Sequence, residues 1–255
     1  MKYYMKTLLI LATLLILPVT GMSSSGGTVY KADVNVGNTA SLQRGAKTFV
    51  NYCMGCHSAA YMRYNRMGQD LGLTDDMLSD NLIFTADFSK TEEGEMDKVG
   101  SLMKIAMRAE DAKKWFGTAV PDLSVIARSR GADWLASYFR TFYVDEKGKM
   151  NNAQFPSVGM PHVLWELEGL KTGKLVEVEE HGHKVHKWEF TKISDGKLSA
   201  VEYEKTVTDL VNFLVYMGEP AQEKRKFIGI IVLLFLLLLF IVSYAMKKEF
   251  WKDVH

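Results

Sequence analysis

Five consecutive residues, Cys53-Met54-Gly55-Cys56-His57, constrain this chain more than any other stretch. Two thiols separated by two residues and followed at once by an imidazole form the attachment signature of c-type haem. Residues three apart share a face of a helical turn, so both sulfurs can reach the vinyl groups of one porphyrin while His57 meets the iron. A chain with one covalently attached haem c must fold with that flat apolar group as part of its core. Two other chemistries use a Cys-x-x-Cys pair. A closed structural zinc site takes four ligands, and these are the only two cysteines present. A thioredoxin-like dithiol needs a βαβ pattern around it, which the sequence does not display. With both sulfurs in thioethers, no disulfide is expected.

Of the 255 residues, 47% are hydrophobic and 24% charged, the balance of a globular protein. The net charge of +1 argues neither for nor against a nucleic-acid partner, and none is expected. Two segments depart from this average. At the start, Lys2 and Lys6 precede the apolar residues 7–17, then Pro18 and a run of small residues. Eleven apolar residues are too few to span a bilayer, and the layout of residues 1–22 is that of a secretory signal. Cleavage after Gly21 or Ser23 is expected, with an uncleaved anchor as the alternative because neither gives an A-x-A pattern.

The second segment, residues 227–246, is twenty residues without a charge. As a helix it would cover about 30 Å, the thickness of the hydrocarbon layer. Flanking charge does not orient it, since Lys224, Arg225 and Lys226 precede it and Lys247, Lys248 and Lys252 follow it. Export of the body would place residues 23–226 outside the membrane and leave residues 247–255 as a short cytoplasmic tail. That side agrees with haem c, which is normally attached after export.

The exported part is long enough for one domain with its own core, and its periodicity is mainly that of helices. Residues 41–52 carry Leu42, Ala46, Phe49 and Val50 on one stripe. Gly45 and Phe49 precede Cys53 at intervals of four, a pair that permits a close helix crossing, as in class I cytochromes c. Residues 100–116 also read as a helix, with Leu102, Ile105, Ala106 and Ala109 on one side, and residues 133–143 as an aromatic helix bearing Trp134, Tyr138, Phe139 and Phe142. Residues 175–193 alternate like a hairpin with Gly182 near its turn. Ser199-Ala200-Val201-Glu202 reads as a capping box opening a helix to Met217.

Several residues suit a haem in other ways. Pro121 keeps a carbonyl that could accept a hydrogen bond from the second nitrogen of His57, though a proline also simply begins helices. Met160, in the loop Phe155-Pro156-Ser157-Val158-Gly159-Met160-Pro161, is the candidate for the axial position opposite His57, where a thioether favours reduced iron. His162, His181, His183 and His186 are its rivals, and the last three read better as a solvent-facing turn than as a zinc site. Arg63 and Arg66 are either propionate partners or a solvated face. The acidic segment 85–99 is either a wet loop or a docking surface for a basic partner.

Taken together, Cys53-Met54-Gly55-Cys56-His57, Pro121-Asp122-Leu123-Ser124 with Arg128 and Arg130, Gly159-Met160-Pro161 and one C-terminal membrane helix resemble the cytochrome c1 family. These are the haem subunits of bacterial ubiquinol–cytochrome c reductase (cytochrome bc1) complexes. The resemblance implies a mainly α, class I cytochrome c-like haem domain with inserted loops and a small β-hairpin, plus one C-terminal transmembrane helix. It implies thioethers at Cys53 and Cys56, His57 and Met160 as iron ligands, and Arg130 at a haem propionate. It further implies a single-pass protein of the bacterial inner membrane with its haem domain in the periplasm. The electron would come from a Rieske iron–sulfur subunit, cytochrome b would pack against the membrane helix, and a cytochrome c would be the acceptor. The chain departs from the family pattern at Val120, where a second proline is common, and at Trp134, where a tyrosine often helps hold a propionate. The rival functions are a free-standing membrane-anchored monohaem shuttle and a haem enzyme or gas sensor with an open axial position.

Overall fold

The computed structural model describes residues 30–84, 99–180 and 183–253, so the expected signal segment, nearly all of the acidic segment 85–99, and His181 with Gly182 lie outside the described residues. The core is built on two helices far apart in sequence. Helix α1 (Thr39–Tyr52) starts where the Asn38 side chain accepts the Ser41 N–H at 3.1 Å, a helix-initiating bond of the usual kind. Its apolar stripe buries Leu42, Ala46, Phe49 and Val50. Helix α8 (Ala200–Gly218) opens on the expected capping box, with Ser199 and Glu202 bonded reciprocally, and buries Tyr203, Val207, Leu210, Val211, Phe213 and Leu214. The two cross at Gly45, and the rings of Phe49 and Phe213 meet at 5.5 Å.

Between them the chain runs β1 (Ala59–Arg63), α2 (Tyr64–Leu71), α3 (Asp75–Asn81), β2 (Leu102–Met103), α4 (Ala109–Phe116), α5 (Ile126–Arg130), α6 (Ala132–Arg140), β3 (Phe142–Val144), β4 (Met150–Asn152), α7 (Trp165–Glu168), β5 (Gly169–Glu180) and β6 (His183–Asp195). Strands β1 and β2 form a two-stranded antiparallel pair, and the second sheet has the order β4-β3-β5-β6. Within it only β3 and β5 run parallel, through Val144 and Thr172. The expected hairpin is therefore longer than residues 175–193, pairing Gly169 with Asp195 at its base.

Two helix expectations need correction. In residues 100–116 the helix is confined to α4, because Met103 pairs with Ala59 and fills the core, while the Ile105 N–H turns aside to the Ser58 hydroxyl at 3.1 Å. Ala106 and Ala109, half of the presumed apolar stripe, are exposed. In residues 133–143 the helix stops at Arg140, since the aromatic and branched Phe142, Tyr143 and Val144 pair with Met150, Asn151 and Asn152 as strand.

Helix α9 (Gln222–Phe250) has 29 residues, and its apolar window, of mean hydropathy 3.1, has no part buried. It starts earlier and ends later than the uncharged run, so Lys224, Arg225, Lys226, Lys247 and Lys248 lie on its terminal turns. Its length and exposed apolar surface are those of a membrane anchor.

Candidate functional site

The site begins where α1 ends. The Cys53 N–H still bonds to the Phe49 carbonyl at 2.9 Å, and the Cys53 carbonyl then accepts N–H groups from both Cys56 and His57, at 3.0 and 2.9 Å. This tight turn sets the two sulfurs and the imidazole on a rigid helix end. Cys53 is 5% exposed, and burial, with the neighbouring Cys56 adding to it, pushes its thiol's pKa up to about 12.

His57 is oriented by a segment sixty residues away. Its Nδ1–H donates to the Pro121 carbonyl at 2.8 Å, so the neutral ring keeps its lone pair on Nε2. The 121–124 segment is itself fastened alongside residues 58–61. The Leu123 N–H bonds to the Ser58 carbonyl at 2.8 Å, Asp122 accepts the Ala60 N–H at 2.8 Å, and the Ser124 hydroxyl accepts the Tyr61 N–H at 3.0 Å. Burial lowers the His57 pKa, while the Pro121 bond and the Asp122 charge oppose that shift.

Met160 arrives on a loop organised by Asn152, a fully buried residue that sequence reasoning missed. Its side-chain oxygen accepts the N–H groups of Gln154 and Phe155, both at 2.9 Å, and its amide donates to the Tyr138 carbonyl at 2.7 Å. An asparagine just ahead of a Gly/Pro-rich loop was the available signal. The Tyr138 hydroxyl, also missed, donates to the Met160 Sδ at 3.3 Å, and burial raises the phenol's pKa. Beyond Met160, His162 is 4% exposed, stacks on Phe142 at 4.8 Å and bonds to Glu168 at 2.7 Å.

These groups line two adjoining cavities of about 200 and 390 Å³, whose walls share Cys53, His57, Pro121, Tyr138, Phe155 and Met160. Cys56, Val158 and Val163 are among the further residues of the larger one, and Leu123, Ile126, Leu135, Phe139 and Leu214 among those of the smaller. Arg130 is at the wall of the smaller cavity, its guanidinium 4.9 Å from the Trp134 ring centre and 5.8 Å from that of Phe155. The six residues expected at the site thus line these two adjoining cavities, four of them on both, Arg130 only on the smaller and Cys56 only on the larger. Arg63 and Arg66 do not: the first bonds to the Gly100 carbonyl and the second to Asp70. His186 is exposed on β6, and among the described residues no group of His, Cys, Asp and Glu could hold a bare metal ion.

The donor set fits a haem. An apolar slot, two thiols on one turn, an imidazole with Nε2 unprotonated and a thioether on the same cavity could hold a porphyrin and supply donors to its iron.

Comparison with known proteins gives the same direction. The sequence model of the Cytochrome C1 family matches residues 34–254. The chain is 45% identical over 251 residues to cytochrome c1 of Allochromatium vinosum, covering 97% of this chain and 99% of that protein. It is 42% identical over 254 residues to the ammonia monooxygenase gamma subunit of Nitrosomonas europaea, covering 97% of each. It is 25% identical over 237 residues to cytochrome b/c1 of Bradyrhizobium diazoefficiens, covering 84% of this chain and 33% of that longer protein.

Proposed function

The chain belongs to the cytochrome c1 family, and on that premise we propose how this haem subunit of a ubiquinol–cytochrome c reductase complex carries an electron. Cys53 and Cys56 would hold one haem c by thioethers, and His57 and Met160 would supply the donors to its iron. When bound, the haem supplies a one-electron iron couple. The side chains make and break no bond; they set the energy of the two states. The Pro121 carbonyl, by accepting the His57 Nδ1–H, fixes the tautomer and makes Nε2 a better donor. The Met160 thioether favours the reduced state and raises the potential. Apolar walls exclude water and so disfavour the more highly charged oxidised state. Arg130, its guanidinium packed on Trp134 and Phe155, is ready to pair with a propionate.

In this reading residues 1–22 are an export signal, residues 23–226 the periplasmic haem domain and residues 247–255 a cytoplasmic tail of a single-pass protein of the bacterial inner membrane. A Rieske iron–sulfur subunit delivers the electron, a cytochrome c removes it, and cytochrome b packs along α9. The relative called cytochrome b/c1 supports the last pairing, because one polypeptide carries both names and this chain matches a third of it.

The observation that carries the reading is the convergence of two thiols, an Nδ1-anchored imidazole and a thioether on one apolar cavity. Mass spectrometry of the protein released from native membranes in mild detergent tests it. The intact chain should exceed its polypeptide mass by one haem, with neither cysteine alkylated, and should bring cytochrome b and Rieske subunits with it. A bare polypeptide mass with two reactive thiols ends the attachment proposal. A haem protein without partners is a free-standing shuttle. Recovery with oxygenase subunits would favour a second reading, motivated by the 42% identity to the ammonia monooxygenase gamma subunit.

A further inference from the structure

Tyr138 is fastened to the methionine loop at two points. Its carbonyl accepts the Asn152 side-chain amide at 2.7 Å, and its hydroxyl reaches the Met160 Sδ at 3.3 Å. The ring between these points is held firmly. Trp134 stacks on one face at 5.1 Å and 12°, while Phe142 and Phe139 meet it edge-on at 5.0 and 5.6 Å. With 8% of its surface exposed, the residue has little water to compete for its hydroxyl. Ring packing alone would be served equally by phenylalanine, so the hydroxyl is what calls for an explanation.

A thioether sulfur has two lone pairs, and coordination to a metal uses one. A hydroxyl donating to the other withdraws electron density and weakens the sulfur as a donor. The loss is felt more by oxidised iron, which has the greater need of that density, so the reduced state gains. The same contact limits rotation of the flexible methionine side chain, whose three torsions otherwise leave the sulfur free to swing.

From this geometry we infer that Tyr138 is a positioning residue for Met160, its hydroxyl aiming the thioether at the iron and raising the haem potential. The inference rests on the proposed ligand role of Met160.

The test uses the complex purified from native membranes, with Tyr138→Phe, which keeps the ring and removes only the oxygen. Redox titration of the variant should give a lower midpoint potential than the parent, and the near-infrared sulfur-to-iron charge-transfer band of the oxidised protein should move. If that band is present in the parent and both band and potential are unchanged in Tyr138→Phe, the hydroxyl is idle and the inference falls while the ligand assignment stands. If the parent has no such band, Met160 is not the ligand and both readings fall together. Tyr138→Leu separates packing from bonding: it should lower the melting temperature as well, whereas Tyr138→Phe should leave melting near that of the parent.

Discussion

A Cβ placed on Gly45 would lie 2.1 Å from the carbonyl oxygen of Asp209 and 2.6 Å from the Cβ of Phe213, so α1 and α8 cross with backbone against backbone. The Asp209 side chain locks the same crossing. It accepts the Ser41 hydroxyl at 2.6 Å and two bonds from Arg44, at 2.6 and 2.9 Å. Because α1 runs directly into Cys53, this crossing fixes where the haem motif sits.

Gly45→Ala should therefore be destabilising even though alanine is the better helix former. The helix gains about 1 kcal/mol from the exchange, while an overpacked contact costs up to about 3 kcal/mol when no rotamer can relieve it. A net loss of roughly 2 kcal/mol lowers Tm by about 4–8 °C for a domain of this size. Thermal unfolding followed by circular dichroism checks it; an unchanged Tm would mean the helices slide apart freely.

Met160→Ala removes the proposed thioether and opens an axial position. The reduced protein should then bind carbon monoxide at neutral pH, and the potential should fall by on the order of 0.1–0.3 V, within the roughly 0.8 V that axial ligation spans. Visible spectra under carbon monoxide and a redox titration provide the readout. Unchanged spectra would transfer the ligand role to a histidine, with His162, two residues on, the first to examine.

The sequence revealed the parts of this site that depend on local spacing and hid those that depend on distant partners. Cys53, Cys56 and His57 are legible because the chemistry itself dictates their intervals. The capping box at Ser199 and the uncharged run inside α9 are equally local. The stripe in residues 100–116 misled because four apolar positions can repeat at helical intervals by chance. What decided the outcome was Ala59, more than forty residues earlier, pairing with Met103. The aromatic run 134–142 showed a core face but not which ring carries a useful oxygen; only the approach of Met160 from a later loop singles out Tyr138. The Asn152 bonds are likewise invisible without the turn they close.

At the junction between the haem domain and the anchor, Glu219 pairs with Arg225 on α9 and with Arg128 on α5 at 3.4 Å. The Arg225 guanidinium, with a smaller contribution from Arg128, holds the Glu219 carboxyl below the usual glutamate range. A carboxylate whose pKa is depressed by folding stabilises the structure above its unfolded value, about 4.3, and that contribution is lost as pH falls through the depressed value. The junction should be firm at neutral pH and loosen in acid. Both arginines are more than half exposed, so added salt should weaken it too. Electron paramagnetic resonance of oriented membranes measures the spread of haem tilt, which should widen below about pH 4, and at neutral pH in Glu219→Gln. A tilt distribution indifferent to both would show that packing alone holds the domain.

Glu168, at the end of α7, meets two donors in a nearly dry place. His162 Nε2–H donates to one oxygen at 2.7 Å, and the Lys171 ammonium bonds to the other while also reaching the Arg140 carbonyl at 2.7 Å. The side chains of Glu168, His162 and Lys171 are 14%, 3% and 16% exposed, so water replaces little of what the carboxylate provides. Breaking a buried pair by deleting one partner costs about 3–5 kcal/mol when fully buried. With partial access of water to the ammonium, Glu168→Leu should cost about 3 kcal/mol. Replacing both charges, as in Glu168→Leu with Lys171→Met, leaves no orphaned cation and should recover at least half of that loss. A double-mutant cycle on thermal unfolding of the haem-loaded protein measures the coupling. A single-variant cost below about 1 kcal/mol would show that the ammonium finds solvent as readily as it finds Glu168.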